Sequence, residues 1–185
     1  MHYAILDTNR FYALGLCHAL RRSNEPPMIS VGEMQWRPTL LLMQVIIIRC
    51  RFSLMSTHQV LMRTLLRLEA ESWTGRLYLM CNEKGLALAI FLRQRFTTLQ
   101  IHILNDRLAM RDIVCLLTKA PRRSTCWRTE FGLTVRELTV LCLLIKGLPV
   151  HRVARATQMS EKQVSTHKCN ALKKLNACNL LQLLI

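Results

Sequence analysis

The run LTVRELTVLCLLIKGLPVHRVARATQMSEKQVSTHKCNALKKLNACNLLQLLI, residues 133–185, decides how this chain folds at its C-terminal end. It starts Leu133-Thr134-Val135-Arg136-Glu137, a polar opening before an apolar stretch. Leu138, Leu141, Cys142 and Ile145 recur at steps of three and four and predict one buried stripe on a first helix. Gly147 falls where a helix C-cap needs a left-handed residue, and Pro149 is placed to open a second helix at its first turn. That second helix is short, with Val153 and Ala154 as its inward pair. A tight turn through Gln158 and Met159 leads to Ser160-Glu161-Lys162-Gln163, where Ser160 caps a third helix and Gln163 reaches back. The pattern predicts a helix-turn-helix over about residues 150–169.

The third helix has two faces. Val164, Ala171, Leu172 and Leu175 fall on one side, and Lys162, Ser165, Thr166, Cys169 and Lys173 on the other. After Glu161 there is no acidic residue up to Leu175. A polar, basic face beginning at a capped N-terminus suits a groove lined with phosphates. A solvated helix of a small bundle has the same periodicity, so pattern and charge alone leave both readings open.

The same residues resemble the C-terminal domain of LuxR-type regulators of the NarL/FixJ kind. Leu133-Thr134-Val135-Arg136-Glu137, Gly147, Val153-Ala154, Ser160, Val164, His167, Asn170 and Lys174-Leu175 carry the resemblance in register over the whole domain. The chain departs from that pattern at Arg152, where Glu is usual, at Gln163 in place of Thr, and at Asn176 in place of Gly. Pro149 stands at the usual polar cap of the second helix. The resemblance implies a four-helix, all-α domain that binds double-stranded DNA. Ser165, Thr166 and Cys169 match its base-contacting positions, and their short side chains offer a hydroxyl, a methyl or a weak thiol to base edges. Ser160, Lys162, His167, Asn170, Lys173 and Lys174 flank them as expected phosphate contacts. The apolar segment Leu180–Ile185 resembles the fourth helix, through which such domains pair on DNA.

Composition agrees with a polyanionic partner. The formal net charge is +15 over 185 residues, enough chain for one large or two small domains. From Ala120 onward there are 11 Lys+Arg against 3 Asp+Glu, and before it 15 against 8, so the charge is not confined to one end. Eight cysteines include no C-x-x-C pair, and Cys17, Cys115 and Cys142 fall in apolar helical runs. Buried reduced thiols of a cytoplasmic protein are expected rather than disulfides or a zinc site. Leu40 to Ile48, the most apolar run, is too short to span a bilayer as a helix, and no N-terminal signal sequence is seen. Six glycines and no phosphate-cradling loop argue against a nucleotide site, and no metal or other cofactor is expected. Trp36, Trp73, Trp127 and the nine methionines are read as packing residues, and His167, without a second His or acid at a useful spacing, as phosphate-facing or helix-packing.

Residues 1–119 alternate strand-like and helix-like segments. Strands are predicted at Tyr3–Leu6, Met28–Val31, Met43–Ile48, Leu77–Cys81 and Leu99–Leu104. Helices are predicted at Asn9–Arg22, Gln59–Ala70, Gly85–Arg95 and Arg107–Lys119. This is a doubly wound five-stranded α/β domain, followed by a basic, proline-broken linker over 120–132 and the helix-turn-helix domain over 133–185. The combination resembles a response regulator, whose receiver domain needs an acidic pair after the first strand, an aspartate at the end of the third and a lysine after the fifth. Here the third strand ends Ile48-Arg49-Cys50-Arg51, the first ends in a lone Asp7 followed by Thr8 and Asn9, and the fifth ends Leu104-Asn105-Asp106. Two arginines beside the expected acceptor position oppose a magnesium ion, and Asp7 is read as a turn or cap residue. No phosphorylation site is expected. The chain is similar in element order to the degenerate receivers of enteric LuxR-type accessory regulators of capsule or fimbrial genes.

The expectation is a DNA-binding transcriptional regulator that is not an enzyme. It acts without aspartyl phosphorylation, as a homodimer or as a heterodimer with a related LuxR-type regulator. Two other readings remain. One is a protein-interaction module that sequesters or completes another regulator with little DNA contact of its own. The other is an α/β enzyme with a reactive thiol such as Cys50 or Cys81, which requires a depressed thiol pKa.

Overall fold

A computed structural model describes residues 2–7, 9–21, 28–32, 37–50, 55–118 and 132–183. Five parallel strands, β1 (His2–Leu6), β2 (Met28–Gly32), β3 (Val45–Cys50), β4 (Arg76–Cys81) and β5 (Gln100–Asn105), form one sheet in the order β2-β1-β3-β4-β5. The helices between them are α1 (Arg10–Arg21), α2 (Met55–Ala70), α3 (Glu83–Arg95) and α4 (Met110–Thr118). The expected doubly wound domain is therefore present with one change. The crossover from β2 to β3 contains the 3-10 turn Pro38–Leu42 where an α-helix is usual.

Alternation along each strand sorts the sheet into two cores. Tyr3, Ile5, Val45, Ile47, Tyr78, Met80 and Leu104 pack on Ala13, Leu16 and Leu20 of α1 and on Ile113 and Leu117 of α4. Ala4, Leu6, Ile46, Ile48, Leu77, Leu79, Ile101 and Ile103 pack with Leu61, Leu65 and Leu68 of α2, with α3, and with Leu40 of the 3-10 turn. Val45-Ile46-Ile47-Ile48 is buried on both faces, the state that makes a β-branched run rather than an alternating one.

Element ends differ from the expected ones for local reasons. β3 begins at Val45, not Met43, because the Met43 N–H closes the preceding turn on Leu40 O and its carbonyl accepts the Trp73 indole N–H at 2.9 Å. α4 begins at Met110, not Arg107, because the Asn105 side chain accepts from Arg107 N–H at 2.9 Å and Leu108 N–H closes on Asn105 O. α3 starts two residues early, at Glu83, capped by Asn82, whose side chain accepts from Gly85 N–H at 3.0 Å. Of the expected packing tryptophans, Trp73 is buried, and Trp36 and Trp127 lie outside the described residues.

The C-terminal domain contains α5 (Val135–Ile145), α6 (Val150–Thr157) and α7 (Glu161–Lys174). The expected fourth helix is, among the described residues, a single 3-10 turn at Leu181–Leu183, with Leu183 buried and Leu181 67% exposed. It closes the core over Ala171, Leu172 and Leu175 and leaves one apolar side chain outside. Of the expected linker only Gly132 is described. Gly132 lies so close to α3 that a Cβ there would meet Ile90 Cγ2 at 2.8 Å. Leu133 N–H donates to Ala87 O at 3.2 Å, so the C-terminal domain begins on the outer face of α3. With the sheet on its other side, α3 is buried from Gly85 to Leu92, which hides its periodicity in the sequence. No helix among the described residues is long and apolar enough to cross a membrane.

Candidate nucleic-acid interface

The helix-turn-helix is set by caps at four points. Gly147 has φ +84°, the left-handed conformation expected of it, and α5 ends there. Pro149 is the N-cap of α6, not its first residue, and supplies no side-chain hydrogen bond. Gln158 at φ +54° closes α6, with Met159 N–H donating back to Ala154 O at 2.9 Å. Ser160 and Gln163 then form the expected capping box: Gln163 N–H donates to Ser160 Oγ at 3.2 Å and Ser160 N–H to Gln163 Oε1 at 2.8 Å. A small apolar cluster of Val140, Val153, Ala154 and Val164 pins the three helices where they meet. Val140 is absent from the stripe that the sequence predicts because it faces this second cluster, not the one under Leu138 and Leu141.

The inner face of α7 is Val164, Ala171, Leu172 and Leu175, all buried as expected. Lys162, Ser165, Thr166, Cys169, Asn170 and Lys173 are exposed, and His167 is half-buried. The sequence-derived groove face therefore lies together on one open side of one helix. Two of its members carry internal bonds. Thr166 Oγ1 donates to Lys162 O at 3.0 Å, which leaves its methyl and a lone pair for a partner. The Ser160 hydroxyl is held inside the capping box, accepting from Gln163 N–H and donating to Gln163 Oε1 at 3.2 Å.

Lys174 is placed differently from the other expected phosphate contacts. Its ammonium donates to Glu137 Oε2 at 2.8 Å, and its side chain is only 25% exposed. Glu137 is buried at the start of α5, in a second capping box in which Thr134 N–H donates to Oε2 at 2.7 Å and Glu137 N–H to Thr134 Oγ1 at 3.2 Å. Burial pushes the Glu137 carboxyl upward, but the hydrogen bonds from Lys174 and Thr134 outweigh it and hold the group below its usual 4.5. Lys174 thus ties the last turn of α7 to the first turn of α5. The Thr134-x-x-Glu137 spacing announces the box in sequence; the lysine that completes it is found only in three dimensions.

At the carboxyl edge of the α/β sheet, between β1 and β3 where the strand order reverses, the groups are arranged for a different purpose. Arg49 is one of the two arginines beside the expected acceptor position. Its guanidinium lies 3.5 Å from Asp7 Oδ2 and 3.4 Å from Asp106 Oδ2, and 4.3 Å from the centroid of the Tyr12 ring. Asp7 is almost fully buried, and its Oδ1 accepts from Asn9 N–H at 2.8 Å, the turn role expected of it. An arginine thus sits between the Asp7 and Asp106 carboxylates. The companion position on β4 is Cys81, whose thiol is pushed up to about 12 by burial and by the nearby Asp106 charge, the opposite of what a nucleophile needs. The side chain of Cys50 and all of Arg51 lie outside the described residues. Cys17 is buried as expected, whereas Cys142 is only half-buried and Cys115 is exposed on the outer face of α4.

Residues 132–185 match the bacterial regulatory proteins of the luxR family. The virulence-factor transcription regulator BvgA of Bordetella pertussis is 46% identical over 52 residues, 28% of this chain and 25% of that protein. The match thus spans about a quarter of the relative's length. RcsB, solved as two dimers bound to two parallel DNAs, aligns over 100% of this chain and 96% of its own at TM-score 0.53 and 18% identity. The Salmonella typhimurium RcsB response regulator aligns over 100% and 94% at TM-score 0.51 and 17% identity. At that identity the likeness is one of fold. Residues 132–185 form a LuxR-family helix-turn-helix domain, carried behind an α/β domain with the fold of a response-regulator receiver.

Proposed function

We propose that this chain is a DNA-binding transcription regulator that lays α7 in the major groove and works without aspartyl phosphorylation. The observation that carries the reading is the outer face of α7, where Lys162, Ser165, Thr166, Cys169 and Lys173 are exposed together and no acid follows Glu161. The positive N-terminal end of the helix and its lysines favour phosphates on either side of the groove. The short side chains between them are sized for base edges. Lys162, His167, Asn170 and Lys173 are the phosphate contacts of this proposal, with the Ser160 hydroxyl at the helix start. Lys174 holds the helix in place. One such helix covers a half-site, so the active species is a dimer with itself or with a related regulator. Its targets, on the resemblance to accessory regulators, include genes for surface structures such as fimbriae.

Independence from phosphorylation is supported by Arg49, which stands beside the expected acceptor position and is paired with Asp7 and Asp106. A guanidinium cannot take the place of the carboxylate that forms an acyl phosphate, and its charge opposes a magnesium ion at the same position. Incubation with acetyl phosphate and magnesium is expected to give no phosphoprotein by intact mass and no change in DNA affinity. A stable adduct on Asp7 or Asp106 that altered affinity overturns this part.

The reading as a whole is tested by genome-wide occupancy of the tagged protein and of a Lys162→Glu, Lys173→Glu variant. Discrete sites that vanish in the variant support it. Unchanged regulation by the variant, together with loss of regulation on deleting the α/β domain, favours the interaction-module reading.

A further inference from the structure

We propose that the cleft at the amino edge of the α/β sheet is a binding site for a small organic monocarboxylate with an aromatic or short aliphatic body. Its cation is Arg76, its polar rim includes the amides of Gln44 and Gln100, and its apolar wall is Trp73 and Leu42. The site lies at the opposite end of the strands from Asp7, Arg49 and Asp106, and it does not depend on the DNA-binding reading.

The cleft has a volume of about 460 Å3 and forms where residues 41–44 before β3, residues 73–75 before β4 and the first residues of β4 and β5 meet. That volume falls in the range of small-molecule sites, roughly 300–1,000 Å3. Its walls are fixed by the chain's own hydrogen bonds. The Trp73 indole N–H donates to Met43 O at 2.9 Å, Arg76 N–H to Gln44 O at 2.9 Å, and Gln44 N–H to His2 O at 3.1 Å. Gly75 is part of the construction, since a Cβ there would meet Trp73 Cε2 at 2.6 Å and Gln44 O at 2.7 Å. The indole lies against the backbone only because residue 75 has no side chain. With its one ring donor used, Trp73 presents carbon surface to the cleft.

Chemistry selects the ligand. Among the described residues Arg76 is the one cation of the lining, and no acid lines it. Arg76 and Gln100 are register partners on β4 and β5, so their side chains leave the same face side by side. Arg76 is steadied by a hydrogen bond to the Tyr78 hydroxyl, which itself donates to Leu116 O at 3.4 Å. A guanidinium carries several N–H donors in a planar fork, so this bond leaves others for a carboxylate. The Gln44, Thr74 and Gln100 side chains are exposed and make no hydrogen bond among the described residues. They can donate to the same carboxylate or accept from a ligand hydroxyl. Leu42, at the mouth, is 69% exposed. A single cation favours a monoanion over a phosphate. The exposed leucine beside the indole favours an apolar body over an inorganic ion.

The test is a proton–nitrogen correlation spectrum of the full-length chain, titrated with phenylacetate, hexanoate, phenylacetamide and inorganic phosphate. The Trp73 indole cross-peak is assigned as the one lost in Trp73→Phe. Ligands of this size bind with Kd on the order of 1 mM, so titration to about 20 mM covers the range. Both carboxylates are expected to shift the Trp73 cross-peak. Phenylacetamide, which keeps the ring and loses the charge, is expected to bind about tenfold more weakly, and phosphate not to shift it. Gln100→Glu and Leu42→Glu each place an acid at the cleft on an exposed side chain. Each is expected to weaken both carboxylates about tenfold with the thermal midpoint unchanged, a result that keeps Arg76 and its bond to Tyr78 intact. No shift by either carboxylate overturns the proposal, as does equal affinity for phenylacetamide. Undiminished binding in both Glu variants overturns it too, since the carboxylates then bind elsewhere. Phosphate binding as tightly as the carboxylates removes the organic body and assigns an adventitious anion only.

Discussion

The two domains use arginine in opposite ways. In the α/β domain Arg49 points inward, between Asp7 and Asp106 and over Tyr12, with its side chain 12% exposed. In the helix-turn-helix domain Arg152, Arg155, Lys162 and Lys173 point outward, with no ion pair among the described residues. A net charge of +15 treats these groups as equivalent, but the structure does not. A paired, buried cation is part of the fold and is withheld from any partner. An exposed, unpaired one adds little to stability and is available to a polyanion. The contrast is a claim about which arginines matter for folding and which for binding, and single substitutions separate the two.

The largest effect is expected at Arg49. Replacing it with Met keeps the stem over Tyr12 and leaves the Asp7 carboxylate buried without a counter-charge. The expected cost is about 3 kcal/mol, the usual penalty for removing one member of a buried pair. Urea denaturation followed by far-UV circular dichroism should show the α/β transition shifted to lower urea while that of α5–α7 moves much less. Adding Asp7→Leu to Arg49→Met should recover part of the loss, because the stranded charge is removed with its partner. A midpoint that does not move in the single variant means that the cluster holds nothing, and the contrast between the domains fails on its inward side.

The exception within the outward domain is Lys174, and it gives the next largest effect. Glu137→Gln removes a charge-assisted bond across the domain and is expected to cost about 2 kcal/mol near neutral pH. The sign with pH follows from the depressed carboxyl. A group whose folded pKa lies below its usual 4.5 adds stability that is present above that value and is lost as pH falls through the lower, folded one. Wild type should therefore lose more stability on acidification through this range than the Gln variant does. Parallel curves for the two proteins refute the assignment.

How much of the molecule is legible in its sequence follows the physics of each region. The helix-turn-helix is readable because its signals are local: Gly147 at the end of α5, the Ser160–Gln163 box, and a one-sided apolar stripe on α7. The α/β order is readable because parallel strands buried on both faces leave continuous apolar runs such as Val45–Ile48. What the sequence hides depends on contacts distant along the chain. α3 shows no clean stripe because the sheet covers one side and Gly132–Leu133 part of the other. β3 starts late because Met43 is held by Leu40 and Trp73, not by the ladder. The sequence reveals that the third strand ends without an acidic acceptor and with Arg49 beside its expected position; that this arginine bridges Asp7 and Asp106 depends on strands β1, β3 and β5 ending at one edge. Lys174 reads like its neighbour Lys173 because the two differ only in which side of α7 they leave from.

The smallest effects on stability, and the finest test of the outward side, lie on α7. Lys173→Ala should leave the unfolding midpoint within about 0.5 kcal/mol of wild type, since the side chain is exposed and unpaired. It should weaken binding to every duplex alike and lower the salt slope by roughly one unit. Ser165→Tyr and Cys169→Tyr should leave the slope nearly unaltered and change which fragments are selected from a random pool. Thr166 gives a sharper distinction. Its hydroxyl donates to the Lys162 carbonyl, so what it can present to a base edge is chiefly the methyl. Thr166→Val keeps that methyl and should preserve the selected sequences. Thr166→Ser keeps the hydroxyl, loses the methyl and should relax preference at one position, a thymine, whose own methyl is the apolar group in the major groove. If Thr166→Ser is silent and Thr166→Val changes the selection, the hydroxyl is the reading group, either accepting from a base edge while bonded to Lys162 O or leaving Lys162 to donate. If Lys173→Ala changes selection while Ser165→Tyr and Cys169→Tyr do not, α7 enters the groove rotated from the face that its exposed residues define.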